Sequence, residues 1–157
     1  MKQLTKITFL FFIIAIAFSA CTEEDYADWK ILNDNKYAAE VAAKTDYTKT
    51  ESGLCYKIIY PGEMKRANID SYVTVKYTLK LITGKIVETG TFTGTLISSN
   101  YGSGTIAAWK EAIPLLKVGG VMEMFFSYDL GYGSTASGAV PPYSMLYYSV
   151  ELVDAQN

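Results

Sequence analysis

The chain has 157 residues, half of them apolar and 19% charged, with a formal net charge of -2. That is room for one packed domain and a short extension, and the balance excludes both a disordered chain and a protein that holds nucleic acid by neutralising phosphates. There is no histidine, which excludes Ser-His-Asp and Cys-His catalysis in their usual forms and every His-containing zinc site. No cofactor and no metal are expected.

Residues 1–20 read as an export signal. Lys2 and Lys6 form a positive start, Ile7 to Phe18 an apolar run too short for a comfortable membrane span, and Ser19-Ala20 a small-residue end. Cys21 directly after those residues resembles a bacterial lipobox, whose cysteine is acylated, palmitate included; the plainer alternative is an ordinary signal with an incidental cysteine. Removal of the signal leaves 12 basic side chains (14 less Lys2 and Lys6) against 16 acidic ones, about -4. Thr22-Glu23-Glu24-Asp25 then reads as an acidic tether holding a domain off a lipid surface. The expected location is the bacterial cell envelope, at the outer membrane on its periplasmic or surface face. Cys55 would be the one thiol left, a half-buried strand residue with no internal partner.

Tyr26 to Lys44 lacks Gly and Pro and is rich in alanine, which predicts one helix with a patchy apolar face that leans on the domain. Leu54 to Tyr60 predicts a strand stopped by Pro61-Gly62. Tyr72 to Leu81 alternates, with Val73, Val75, Tyr77, Leu79 and Leu81 on one face, as a half-buried antiparallel strand does. Gly84 turns into a strand over Lys85 to Glu88. Phe92 to Gly104, full of Gly, Ser and Thr, reads as a long irregular loop with at most one short strand.

Ile106, Trp109, Ile113 and Leu116 follow at helical spacing, limited by Pro114 and Gly119-Gly120. Val121 to Ser127 and Met145 to Val153 are strands again. The expected fold is α+β: about five antiparallel strands in a twisted sheet wrapped around one short helix, with an N-terminal helical extension. The expected organisation is 1–20 signal, 21–51 tether and helical extension, and 52–157 the folded domain.

Taken together, Val73 to Thr78 with Gly84, Thr105-Ile106 with Trp109, Lys117 to Gly120, Tyr132-Gly133, Val140-Pro141-Pro142 and Tyr148 resemble the FKBP-type peptidyl-prolyl isomerases. The likeness runs from about Ser52 to the last strand, and Thr50 to Ile59 resembles the lead-in of exported bacterial members. It implies an aromatic cleft that turns X-Pro bonds in exported proteins. The implied site residues are Tyr77, Val87, Glu88, Ile106, Trp109, Tyr132, Val140 and Tyr148. Trp109 would lie under the proline ring, Tyr132 would donate its hydroxyl to the substrate carbonyl, and Tyr77 and Tyr148 would wall the cavity. Implied partners are proline-containing polypeptides and macrolide ligands, with the protein a monomer.

The chain departs from the family pattern in four ways that bear on activity: Leu79 stands where a glycine is usual, the loop between Tyr132 and Val140 is one residue short, and two departures fall on the cleft. Val87-Glu88 stands where active members carry Phe-Asp, and a second pocket phenylalanine has no evident counterpart, Tyr101 and Leu96 being the candidates. A rival reading is therefore a catalytically weak or inactive FKBP-like domain that binds peptides as a chaperone. Trp109, Tyr77 and Tyr148 also fit plain core positions. Tyr132, between two glycines in a polar loop, fits one least.

Overall fold

The computed structural model describes residues 26–97 and 105–156. The signal-like segment, Cys21, the acidic leader and Tyr101 lie outside the described residues.

Six antiparallel strands form one sheet: β1 (Thr48–Lys49), β2 (Cys55–Tyr60), β3 (Tyr72–Lys80), β4 (Ile86–Thr95), β5 (Val121–Phe126) and β6 (Leu146–Gln156). Their order across the sheet is β1-β2-β5-β6-β3-β4, so β6 lies between β5 and β3. Two α-helices accompany it, α1 (Ala27–Ala43) and α2 (Ala107–Ala112), the latter running into one 3-10 turn at Ile113–Leu115 where Pro114 leaves no amide to continue the ladder. The expected α+β architecture is the one observed. The strand beyond the expected five is the two-residue β1, too short to carry a pattern of its own.

The alternation of β3 fixes which face packs. Val73, Val75 and Leu79 are buried against α2, where Ala108, Trp109, Ala112, Ile113 and Leu116 point back at them. Each fully buried aliphatic of this kind contributes roughly 1.5–3 kcal/mol relative to exposure, which is ample to seat a six-residue helix. The opposite face of the sheet carries a smaller core of Cys55, Phe125 and Met145, flanked by Tyr37, Val41, Tyr47, Ile82 and Tyr147. Cys55 is fully buried rather than half-buried, and burial pushes its thiol above the ordinary range, so it is held as an inert thiol.

Helix α1 leans on that second face, though Asn33 is its one fully buried residue. Its attachment combines the packing of Tyr37 and Val41 against that core with polar contacts. The Asn33 side chain accepts a hydrogen bond from the Met145 amide at 2.8 Å, Trp29 Nε1 donates to Ser144 Oγ at 3.0 Å, and the Tyr37 hydroxyl donates to the Gly53 carbonyl at 2.7 Å.

One expectation is corrected. β4 does not end near Glu88; it pairs with β3 as far as Thr95, so Phe92 is a strand residue and not the start of an irregular loop. Two glycines, normally poor in strands, stand where a side chain would meet a ring. A Cβ on Gly90 would lie 3.4 Å from the Tyr77 hydroxyl, and one on Gly94 would lie 3.0 Å from the Phe92 ring. The missing side chains let two aromatic rings lie flat against the sheet.

Candidate functional site

At the open end of the α2 face lies a hollow of about 250 Å³ lined by Tyr77, Glu88, Phe92, Thr105, Ile106, Trp109, Tyr132 and Tyr148. Trp109 sits here because α2 begins immediately before it. The Ile106 carbonyl accepts from the Trp109 amide at 3.0 Å, and the Thr105 hydroxyl donates to the Leu96 carbonyl at 2.9 Å, tying the helix entry to the end of β4. The indole meets three other rings edge-on: Tyr77 at 5.2 Å, Phe92 at 5.6 Å and Tyr148 at 5.6 Å between centroids. Edge-to-face contacts of this kind add about 0.5–1.5 kcal/mol each beyond burial and fix the ring planes. Phe126 stacks on Tyr148 at 5.9 Å and holds it from behind.

The polar groups are few and paired. The Tyr77 hydroxyl donates to Glu88, and the Tyr132 and Tyr148 hydroxyls lie 3.3 Å apart. Burial first, then the Glu88 carboxylate, pushes the Tyr77 phenol up to about 12. Burial raises Tyr148 as well, with the hydrogen bond to Tyr132 adding to it. Both remain neutral donors at physiological pH. Trp109 Nε1 is buried without a hydrogen-bond partner, the one such side-chain atom among the described residues.

Of the residues singled out from the sequence, six meet in this hollow: Tyr77, Glu88, Ile106, Trp109, Tyr132 and Tyr148. Val87 and Val140 do not. They line a separate recess with Ser137, Gly138 and Ala139, which touches the hollow only through Glu88. The reason for Val87 is local: the β3–β4 register shifts between Leu79 and Lys80, leaving Val87 as the extra residue of a bulge while Glu88 faces Leu79.

Phe92 is the lining residue that the sequence reading missed. It faces Val75 across the ladder, on the side of β4 shared with Glu88 and Gly90. Neither proposed counterpart of a second pocket phenylalanine takes that place: Leu96 is a fully buried core residue, and Tyr101 is outside the described residues. A period-two count carried past Gly90 would have found Phe92.

No group of three or more His, Cys, Asp or Glu suited to a metal occurs among the described residues. No helix there is long and apolar enough to cross a membrane. What the hollow offers is a mainly apolar aromatic seat with hydroxyl groups at its wall.

Residues 63–153 match the family model of the FKBP-type peptidyl-prolyl cis-trans isomerases. Over 140 residues the chain is 33% identical to a probable FKBP-type peptidyl-prolyl cis-trans isomerase of Haemophilus influenzae, covering 88% of this chain and 58% of that one. It is 36% identical over 120 residues to the FKBP-type 22 kDa peptidyl-prolyl cis-trans isomerase of Escherichia coli, covering 76% and 58% respectively. The chain thus spans under two thirds of the length of either relative. Its fold superimposes on the crystal structure of FkpA from Escherichia coli with a TM-score of 0.73 and 26% identity, covering 85% of this chain and 62% of that one.

Proposed function

The chain belongs to the FKBP-type peptidyl-prolyl cis-trans isomerase family, and from that premise we propose that it turns X-Pro bonds of exported polypeptides in the hollow above Trp109. The barrier to that rotation, roughly 20 kcal/mol, is amide resonance. No bond breaks, so no nucleophile, base or metal has a task to perform. A twisted amide has lost its resonance dipole and needs water less than the planar one does. An apolar seat therefore binds the transition state in preference to the ground state. The proline ring rests on the Trp109 indole, flanked by Phe92 and Ile106.

Tyr132 supplies the directional contact. Tyr148 is the more deeply buried phenol, and it donates its proton to Tyr132, which leaves the Tyr132 O–H to be given to the substrate carbonyl. Two phenols in series polarise one another and strengthen the outer donor. Tyr77 is held against Glu88 and keeps the wall in place.

The observation that carries this reading is the hollow itself: five aromatic rings, three of them phenols, converge on about 250 Å³, lined predominantly by apolar atoms. Pockets for whole drug-sized ligands begin at about 300 Å³, so a single ring is the better match. A protease-coupled assay on a short X-Pro peptide tests it. Acceleration that is lost in Trp109→Leu supports isomerisation. Peptide binding without acceleration would leave the binding and chaperone reading in its place.

The setting is part of the proposal. The Lys2 to Cys21 pattern supports export and acylation at Cys21, with the domain, as a monomer, held at the bacterial envelope through that lipid. Metabolic labelling with radioactive palmitate, present in the full chain and absent in Cys21→Ser, tests it.

A further inference from the structure

We infer that helix α1 is a positioning element for the cleft, acting through Asn33 and Trp29 on the loop that carries Tyr132; the catalytic side of this inference rests on the isomerase reading above. A helix usually docks by an apolar stripe. This one buries a single residue fully, and that residue is an asparagine. The Asn33 amide group is used twice: its oxygen accepts from the Met145 backbone amide at 2.8 Å, and its nitrogen donates to the Trp29 carbonyl at 2.7 Å. Trp29 in turn donates Nε1 to Ser144 Oγ, and Ser144 passes its own proton to the Pro141 carbonyl at 2.7 Å. The Lys30 ammonium lies 5.1 Å above the Tyr128 ring, which meets Tyr143 edge-on at 5.3 Å.

Apart from the Asn33–Trp29 bond within the helix, each of these contacts falls on the segment from Tyr128 to Met145. That segment is the cleft wall, because its inward residue is Tyr132. The link is backbone to backbone: the Tyr143 amide donates to the Gly133 carbonyl at 2.9 Å, one residue from Tyr132. Tyr143 itself sits at φ +58°, in the left-handed region that a bulky side chain rarely adopts. Such a conformation persists where its surroundings over-determine it. Its two C-terminal neighbours, Ser144 and Met145, are the residues gripped by α1. The helix thus holds the base of the loop from the far face of the sheet, and the loop's other end projects the Tyr132 phenol toward Tyr148.

The test uses the full chain with two substitutions. Asn33→Leu keeps the volume and removes both hydrogen bonds; Trp29→Phe keeps the ring and removes only the indole donor. It also leaves Trp109 as the sole indole for fluorescence, since the chain has two tryptophans. Ile31→Ala, at a solvent-exposed position of the same helix, is the control. The expected result is a fall in kcat of roughly tenfold for Asn33→Leu with KM nearly unchanged, because the Trp109 seat remains while the donor strays. A smaller fall is expected for Trp29→Phe. In both variants the backbone amide resonance of Gly133 should shift or broaden, and in Ile31→Ala it should not.

Folded variants with kcat within twofold of the parent and an unmoved Gly133 resonance would overturn the inference. Should Asn33→Leu fail to fold, Trp29→Phe decides alone. Should the parent chain lack isomerase activity, the proposed function fails, and the Gly133 resonance still decides whether α1 positions the loop.

Discussion

Removing one oxygen from the cleft, in Tyr132→Phe, separates the donor role from the packing role. The ring stays, so the wall of the hollow and its contacts are preserved. Two things are lost. The first is the contact between the Tyr132 and Tyr148 hydroxyls, which at 3.3 Å is long for an O–H···O hydrogen bond, whose usual separation is about 2.7–2.8 Å. It therefore contributes at the low end of the range for neutral pairs, about 0.5 kcal/mol, and the urea midpoint should move little. The second is the hydrogen bond to the substrate carbonyl, a neutral donor in a dry site, about 1–1.5 kcal/mol. Since 1.4 kcal/mol is a factor of ten, kcat/KM in the protease-coupled assay should fall about five- to tenfold. Tyr148→Phe should show a smaller fall, because it removes only the polarising partner. A Tyr132→Phe enzyme with kcat/KM within twofold of the parent would refute the donor assignment outright. A fall beyond about a hundredfold would mean that the phenol does more than give one neutral hydrogen bond.

The other expectations concern the rings, the pH profile and the backbone. Phe92→Ala should lower kcat/KM and raise KM for an X-Pro peptide, with a stability loss of about 1–3 kcal/mol in urea titration. Val87→Phe should leave kcat/KM within twofold, because position 87 faces the neighbouring recess while Phe92 already lies against Trp109; a large gain would mean that the bulge at 87 re-registers. Activity should be flat from pH 6 to 9, since Tyr77 ionises only near 12 and the chain has no histidine. The folded state holds the Tyr77 proton more tightly than the unfolded chain does. Its contribution is thus complete below the ordinary tyrosine value near 10 and is lost as the pH climbs toward 12, so the urea midpoint should drop over that window. Gly62→Ala should cost about 2–4 kcal/mol, because Gly62 has φ +77° and a Cβ there would stand 2.3 Å from the Lys117 carbonyl oxygen.

The parts of the fold written in side-chain alternation were legible in the sequence. β3 declares its inward face residue by residue, and the helical run from Ile106 through α2 to Leu116 declares its own through Ile106, Trp109, Ile113 and Leu116. Six of the eight residues singled out for the cleft converge because those two elements and the Tyr132 loop face one another. Only the start of β4 was legible, and the rest was hidden for a physical reason: Gly90 and Gly94 lower its strand propensity, and what makes them favourable is the rings of Tyr77 and Phe92, which pack against the bare backbone. Losing the strand meant losing Phe92. Val87 and Glu88 looked like one unit, yet at a single-residue bulge Glu88 alone reaches the hollow while Val87 lines only the neighbouring recess. The docking of α1 was only partly legible: Tyr37 and Val41 pack against Cys55, Phe125 and Met145, but the buried amide and the indole nitrogen that also hold the helix carry no apolar signature.

The place of β6 in the sheet has a consequence for how the molecule comes to exist. The last strand in chain order is also a central one, hydrogen-bonded to β5 on one side and to β3 on the other. While a ribosome is still making the chain, β3 and β4 can form a hairpin and β2 can meet β5, but the two halves have nothing between them. Closure waits for Leu146–Gln156, and with it the burial of Tyr148 beneath the cleft. Until β6 pairs, the polypeptide has no finished core, and that pairing joins residues far apart along the chain.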